Sequence, residues 1–424
     1  WFRHKHIVIL GLARQGVALA RFLCAAGARV TLSDLQAADA PALAAALAAV
    51  AELPVTLALG GHPLALLADA DVLCLSGGVP PEMPIVQAAR ARGIPLSNDS
   101  LLTLQLGAAF SVGITGSSGK TTTTTLTGEM LKASGLTTWV GGNIGVPLID
   151  RLDAIGADDR IVLELSSFQL ELFDPALCLG APVSTRVAAI LNVTPNHLDR
   201  HPSMAAYAAA KYNLLRHQRP GDVAVLGMDN DITGSWYAEA LTSAQTGRAE
   251  MPVLGFSLLT EPAAGAFLRG DALILRLPGQ ADRVICRLAD VRLRGMHNVA
   301  NLLAAFCLSG AAGARAEAMA AVATTFTGVA HRLELVRIRD GAAWYNDSIA
   351  TAPERAMAAL HSFDEPIVLL AGGRDKHLPW EPLALAVRGR VRHVVTFGEA
   401  AALIERALAD FAAAHPDARG APPV

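Results

Sequence analysis

The sequence predicts an α/β protein of about three domains on mostly parallel sheets, and three observations carry that prediction. Short aliphatic runs alternate with Ala/Leu-rich stretches of helical period: His6 to Leu10, Arg29 to Leu32, Val72 to Leu75, Ile161 to Leu165, Ala188 to Val193, Val223 to Leu226, Ile367 to Leu370 and His393 to Thr396. Strands alternating with helices argue for parallel sheets covered on both faces. The chain has 424 residues, 52% of them hydrophobic, too long for one ordinary core. Glycine-rich turns follow several runs, at the strand ends where such sheets bind ligands.

Bulk charge narrows the function. A net charge of −3 and a pI near 6.5 give no global field for nucleic acid or an anionic membrane, so anion sites must be local clefts. Cys24, Cys74, Cys178, Cys286 and Cys307 form no C-x-x-C pair and sit in apolar surroundings, which disfavours disulfides and zinc. No run reaches the roughly 18 apolar residues of a membrane span, and a cytoplasmic protein is expected. The chain opens on Trp1 and closes on Ala421-Pro422-Pro423-Val424, so both ends of a longer chain are expected to be missing.

The first run ends in Gly11-Leu12-Ala13-Arg14-Gln15-Gly16, followed by an amphipathic helix and a strand ending at Asp34. This is close to the dinucleotide fingerprint, whose acid about 20 residues on meets a ribose hydroxyl. Ala13 stands where the second glycine would let a pyrophosphate approach, which disfavours a nicotinamide site. A plain strand-to-helix turn explains the segment equally well. A second loop, Ser76-Gly77-Gly78-Val79-Pro80, precedes the expected end of this domain near residue 98.

The next strand, Ser111 to Thr115, runs into Gly116-Ser117-Ser118-Gly119-Lys120-Thr121-Thr122 and then a helix through Met130. Small residues leave backbone N–H groups free to surround phosphate. Lys120 supplies a cation, Thr121 can ligate Mg²⁺, and the helix N-terminus adds its dipole. Ile114 occupies the place of the first glycine in the usual spacing, making this a shortened triphosphate loop. The strand Ile161 to Leu165 carries Glu164 near its end, and a carboxylate opposite a phosphate loop is what Mg²⁺ needs. His197, past another strand, is a second candidate ligand, with a structural histidine as its rival. Lys211 stands alone in an Ala/Tyr-rich helix from Met204 to Leu215, where a lysine can simply snorkel to water.

Taken in order, Gly116 to Thr122, Gly141-Gly142-Asn143-Ile144-Gly145, Leu163 to Gln169, Asn192 to Arg200, Gly295-Met296-His297-Asn298, Phe326 to Arg332, Asn346-Asp347-Ser348 and Gly372-Gly373-Arg374-Asp375-Lys376 resemble the successive signatures of Mur ligases. The likeness spans nearly the whole chain and is strongest to members that add D-glutamate to UDP-N-acetylmuramoyl-L-alanine. It implies an N-terminal Rossmann-like domain for the uridine diphosphate (1–98), a central P-loop ATPase with a mostly parallel sheet (99–327) and a C-terminal Rossmann-like domain that brings the amino acid (328–424). The implied reaction consumes ATP with two Mg²⁺ ions through an acyl phosphate, in a cytoplasmic monomer with hinges near 98 and 327.

The resemblance also distributes roles. Lys120, Glu164, His197 and Lys211 become the catalytic set. Thr121, Glu164 and His197 would hold metal, together with Lys211 if it is carbamylated as in the family. Gly116, Ser117, Ser118, Gly119, Lys120, Thr121 and Thr122 would cradle ATP. Asn298 and Asn301 would approach its adenine, and His331, Arg332 and Asp347 would reach the nucleotide from the third domain. Asp34, Ser76, Gly77 and Gly78 would lie near uridine diphosphate, Asn143, Ser166 and Gln169 near muramoyl-alanine, and Thr351 and Lys376 near the glutamate side chain. Some rivals stay open: Thr351 with Glu354 reads as a capping box, and Asn298 and Asn301 read as caps or backbone bridges.

The chain departs from the family in places. Ile349 stands where a lysine usually follows Asn346-Asp347-Ser348, Ala352 where an asparagine is common, and Gln36 where a basic residue often lies near the diphosphate. Arg355 and Arg374 are the candidates to replace the missing cation. Family members continue beyond the Ala400 to Ala414 helix with a strand and loop that contact the α-carboxylate of glutamate, so weak ligation is expected of these 424 residues. A sister ligase for another amino acid or folate remains a rival reading. A nucleotide-binding switch without ligation is another.

Overall fold

The computed structural model describes residues 1–174, 177, 180, 183–196, 200–245, 252–350, 353–374, 380–388 and 390–415, the side chains of 244, 245, 354 and 358 aside. It is an α/β fold, as the alternating runs predict. Two compact units divide the chain: Trp1–Asp290 with Ala300–Thr324, and Val291–Val299 with Thr325–Val424. None of the described helices is long and apolar enough to cross a membrane.

The first unit holds two sheets, parted in sequence near residue 98. Strands β1 (His6–Leu10), β2 (Arg29–Asp34), β3 (Val55–Leu59), β4 (Val72–Leu75) and β5 (Leu96–Ser97) are all parallel, in the spatial order β3-β2-β1-β4-β5. Strands β1 and β4 are buried throughout, which explains the apolar runs Ile7 to Leu10 and Val72 to Leu75. The order reverses between β1 and β4, so the turns that follow them face each other at one edge of the sheet.

The second sheet comprises β6 (Phe110–Thr115), β7 (Thr138–Gly142), β8 (Arg160–Glu164), β9 (Val187–Ile190), β10 (Val223–Gly227), β11 (Val253–Ser257), β12 (Gly265–Arg269), β13 (Ala272–Arg276) and β14 (Arg283–Arg287). Its order is β14-β13-β12-β11-β10-β9-β6-β8-β7, parallel from β7 to β12 and antiparallel across the last two pairs. Strand β6 lies between β8 and β9, so the phosphate loop is flanked by the ends of both. The second unit carries a hairpin of β15 (Glu334–Arg339) and β16 (Ala342–Asn346) and a parallel pair, β17 (Ile367–Gly372) and β18 (Val391–Phe397). Leu360, Leu383, Val387, Val391 and Val394 form its core.

Candidate active site

The phosphate loop is shaped by two glycines. Gly116 has φ +159 and Gly119 φ +80, and Gly119 caps the helix Lys120–Ala133 in the left-handed region. A Cβ on Gly119 would stand 2.2 Å from Asn301 Oδ1, so the loop and that asparagine are packed without room for a side chain. Lys120 Nζ donates to the carbonyls of Gly116 at 2.8 Å and Ser117 at 3.2 Å, curling back over the loop it serves. Ser118 N–H donates to Asn192 Oδ1 at 2.9 Å, and Ser117 Oγ donates to the Thr194 carbonyl at 3.0 Å. The segment after β9 therefore braces the loop from one side.

Glu164 closes it from the other. Its carboxylate is 2% exposed and accepts from Thr121 Oγ1 at 2.8 Å and from Asn143 Nδ2 at 3.0 Å. The candidate metal-binding oxygens of Thr121, in the first turn of the helix Lys120–Ala133, and of Glu164, at the end of β8, thus meet. Among the described residues no cluster of three or more His, Cys, Asp or Glu accompanies them. Lys211 is also buried, with Nζ donating to the Gly116 carbonyl at 2.9 Å and lying 4.5 Å from the Tyr207 ring centre. It does not snorkel. Burial, and secondarily the Lys120 charge, push its amine well below the usual lysine range, against the pull of Glu164.

Gly142 is a sensitive point. It has φ +92, and a Cβ there would stand 2.3 Å from the Glu164 carbonyl, which also accepts from Asn143 N at 2.8 Å. Gly142→Ala is expected to cost about 2 kcal/mol or more in chemical denaturation. It should also lower phosphate release by displacing Glu164. Unchanged stability and activity would show that the backbone yields without moving the carboxylate.

The other sequence-named residues gather in two further places. Ser76 Oγ donates to the Gly11 carbonyl at 3.1 Å, while Gly77 N–H donates to Gln15 Oε1 at 3.0 Å, so the two turns of the first sheet are joined. Asp34 is held by the same turn, accepting from Leu12 N at 2.7 Å and Gln36 N at 2.9 Å. Gly78 has nothing within 4 Å of a notional Cβ, leaving the loop tip open. Ser166 and Gln169 form a capping box at the helix Ser167–Glu171. In the second unit, Asn298 Nδ2 donates to the Arg294 carbonyl at 2.7 Å, the bridging role that rivals an adenine contact. His331 adopts φ 64, and Asn346 and His331 Nδ1 lie 2.9 Å apart. Asp347 Oδ1 accepts from Leu333 N at 3.1 Å, and burial raises its carboxyl against the Leu333 N–H, Arg332 and Arg355. Arg355 Nη1 donates to the Ile349 carbonyl at 3.4 Å, so this guanidinium reaches the place of the absent lysine.

His197, Thr351 and Lys376 lie outside the described residues. Sequence reasoning overlooked Tyr207, whose hydroxyl is 3.1 Å from Ser117 Oγ, and the trio Asn98, Asp99 and Ser100. Asn-Asp before an apolar run is a readable helix start, but no sequence signal says which loops it meets.

Comparison with known proteins identifies the family. Residues 5–98 match the Mur ligase MurD-like N-terminal domain and residues 114–309 the Mur ligase middle domain. A UDP-N-acetylmuramoylalanine--D-glutamate ligase of Symbiobacterium thermophilum is 42% identical over 406 residues, covering 95% of this chain and 85% of the relative. Another, from Clostridium novyi, is 39% identical over 94% of this chain and 81% of its own. A crystal structure of UDP-N-acetylmuramate-alanine ligase from Thermotoga maritima has the same fold, with a TM-score of 0.58 at 18% identity, over 96% of this chain and 89% of that one. With a phosphate loop, a buried glutamate opposite it and relatives this similar along nearly its whole length, the chain belongs to the Mur ligase family.

Proposed function

We propose that the chain joins D-glutamate to UDP-N-acetylmuramoyl-L-alanine at the expense of ATP, in peptidoglycan precursor synthesis. The observation that carries this reading is the meeting of Thr121 and Glu164 at 2.8 Å beside Lys120, within one unit that also holds the paired turns of the first sheet. A carboxylate oxygen of the substrate attacks the γ-phosphorus and ADP leaves. The amine of glutamate then attacks the acyl carbon, phosphate departs, and the nitrogen loses a proton. Lys120 and the loop N–H groups balance the charge on the transferred group. Phosphoryl transfer asks for little more than this positioning.

Hard oxygen donors such as Glu164 and Thr121 suit Mg²⁺, which when bound neutralises phosphate oxygens. Two ions, with His197 and a carbamylated Lys211 as further ligands, complete the proposal. Burial supports the Lys211 role, since a neutral amine is the form that adds carbon dioxide. We assign 1–98 to the uridine nucleotide, 99–327 to ATP and 328–424 to the amino acid, in a cytoplasmic monomer that acts on small molecules and not on nucleic acid or membranes. Asn298, Asn301, His331, Arg332 and Asp347 serve ATP in this scheme, and Thr351 and Lys376 serve glutamate.

The test is phosphate release from ATP with UDP-N-acetylmuramoyl-L-alanine and D-glutamate, L-glutamate or no amino acid, with Lys120→Ala as control. Release that needs the nucleotide substrate and the D isomer, and that falls by roughly 10²-fold or more in the control, is expected. Release indifferent to both substrates would replace the ligase with a nucleotide switch.

A further inference from the structure

We propose that Gln15, Asn98, Asp99 and Ser100 are positioning residues that set the separation of the two ends of the muramoyl-nucleotide site. The inference rests on the reading above, in which Ser76 to Gly78 meet the uridine diphosphate and Ser166 and Gln169 meet the muramoyl-alanine end.

Hydrogen bonds joined through the backbone of Asn98, Asp99 and Ser100 link those two places. From Gly77 N–H the path enters Gln15 Oε1 at 3.0 Å, and Gln15 Nε2 donates to Asp99 Oδ1 at 3.0 Å. Asp99 opens the helix Asp99–Leu106, whose cap is Asn98, accepting from Leu101 N at 2.7 Å. Asn98 Nδ2 then donates to the Gln169 carbonyl at 3.2 Å, and Gln169 Nε2 donates to Ser100 Oγ at 2.8 Å. Gln169 Oε1 finally accepts from Ser166 N at 2.9 Å and Ser166 Oγ at 3.0 Å. One helix start thus holds a turn of the first sheet with one hand and a turn of the second with the other.

The composition of this link argues for more than adhesion. Asn98, Asp99, Ser100 and Gln169 are each no more than 2% exposed, and a junction selected only for stability would use apolar residues there. Asp99 makes the point most clearly. Desolvation pushes its carboxyl up to about 6, against the Ser100 N–H, the Gln15 amide, its own N–H and the charge of Arg14. An acid so buried is expensive to keep, and its side-chain partner is the amide that orients Gly77. Preset subsites let a substrate that spans both bind with less ordering cost. Loosening either link should therefore weaken capture of the intact substrate while leaving ATP chemistry alone.

The experiment compares the full chain with Gln15→Ala, Ser100→Ala, their double variant, Asp99→Leu and Asp99→Asn. Readouts are KM for UDP-N-acetylmuramoyl-L-alanine, KM for ATP, kcat, the Kd of UDP alone and the melting temperature. Each Ala variant should raise KM for the intact substrate roughly fivefold, the size of one hydrogen bond, with kcat and KM for ATP nearly unchanged. The double variant should fall short of the product of the two, because a single network is broken once. Of the two single Ala variants, Gln15→Ala should weaken UDP alone and Ser100→Ala should not. Asp99→Leu should behave as Gln15→Ala, whereas Asp99→Asn, whose amide oxygen still accepts from Gln15, should return to within about twofold of the parent. Additive effects, or KM values for both substrates rising together with a lower melting temperature, would reduce these residues to scaffold. If the parent binds ATP but not the intact substrate, the ligase reading itself falls and this inference with it.

Discussion

Glu164→Gln should lower phosphate release under ligation conditions by roughly 10³-fold while the protein stays folded. The carboxylate sits 2% exposed between the Thr121 hydroxyl and the Asn143 amide, and the substituted amide can still accept from Thr121 through its oxygen. What it loses is charge. A neutral side chain supports a divalent cation poorly, and its new N–H₂ opposes the Asn143 donor. The saturating magnesium concentration should rise alongside the fall in kcat, while circular dichroism and melting stay close to the parent. A variant within tenfold of the parent at ordinary magnesium would remove Glu164 from the metal site and leave it as a structural acceptor.

Lys211→Met should abolish ligation and yet make the protein more stable. The amine is 1% exposed, with its donor bond to the Gly116 carbonyl. Lys120 donates to that same carbonyl at 2.8 Å, so its acceptor stays satisfied when Lys211 is replaced. Methionine matches the length and removes a buried amine that is desolvated and faces the like charge of Lys120. A gain of about 0.5–2 kcal/mol, seen as a melting temperature higher by a few degrees, is expected with a loss of activity of roughly 10²-fold or more. A large drop in melting temperature would mean that the amine holds the loop. Full activity would dismiss the family role.

The legible part of this protein was local. Gly116 to Thr122 reads as a phosphate cradle because its glycines, cation and hydroxyl are consecutive in the chain, and the helix that follows starts at Lys120. The buried runs of β4, β9 and most of β1 were legible because full burial on both faces favours apolar residues. Strands β3 and β15 were not, since their exposed positions leave a mixed pattern like that of a loop. Strands β11 to β14 escaped for another reason: short apolar segments between turns look alike whether they extend or coil.

By itself, then, the sequence determined the α/β class, the phosphate loop, the run of motifs that marks the family and the identity of the acid at the end of β8. Those are properties of neighbouring residues, and neighbours in sequence are bound to be neighbours in space. Tertiary structure alone decided that Lys211 is buried beside Gly116 and not led out to water, and that Asn298 donates to the Arg294 carbonyl. It also decided that Gln15 and Gly77, 62 positions apart, are joined to Gln169 through the start of one helix. Strand order sets which turns share an edge, and strand order follows from how whole sheets bury their faces. No window of the chain contains that information.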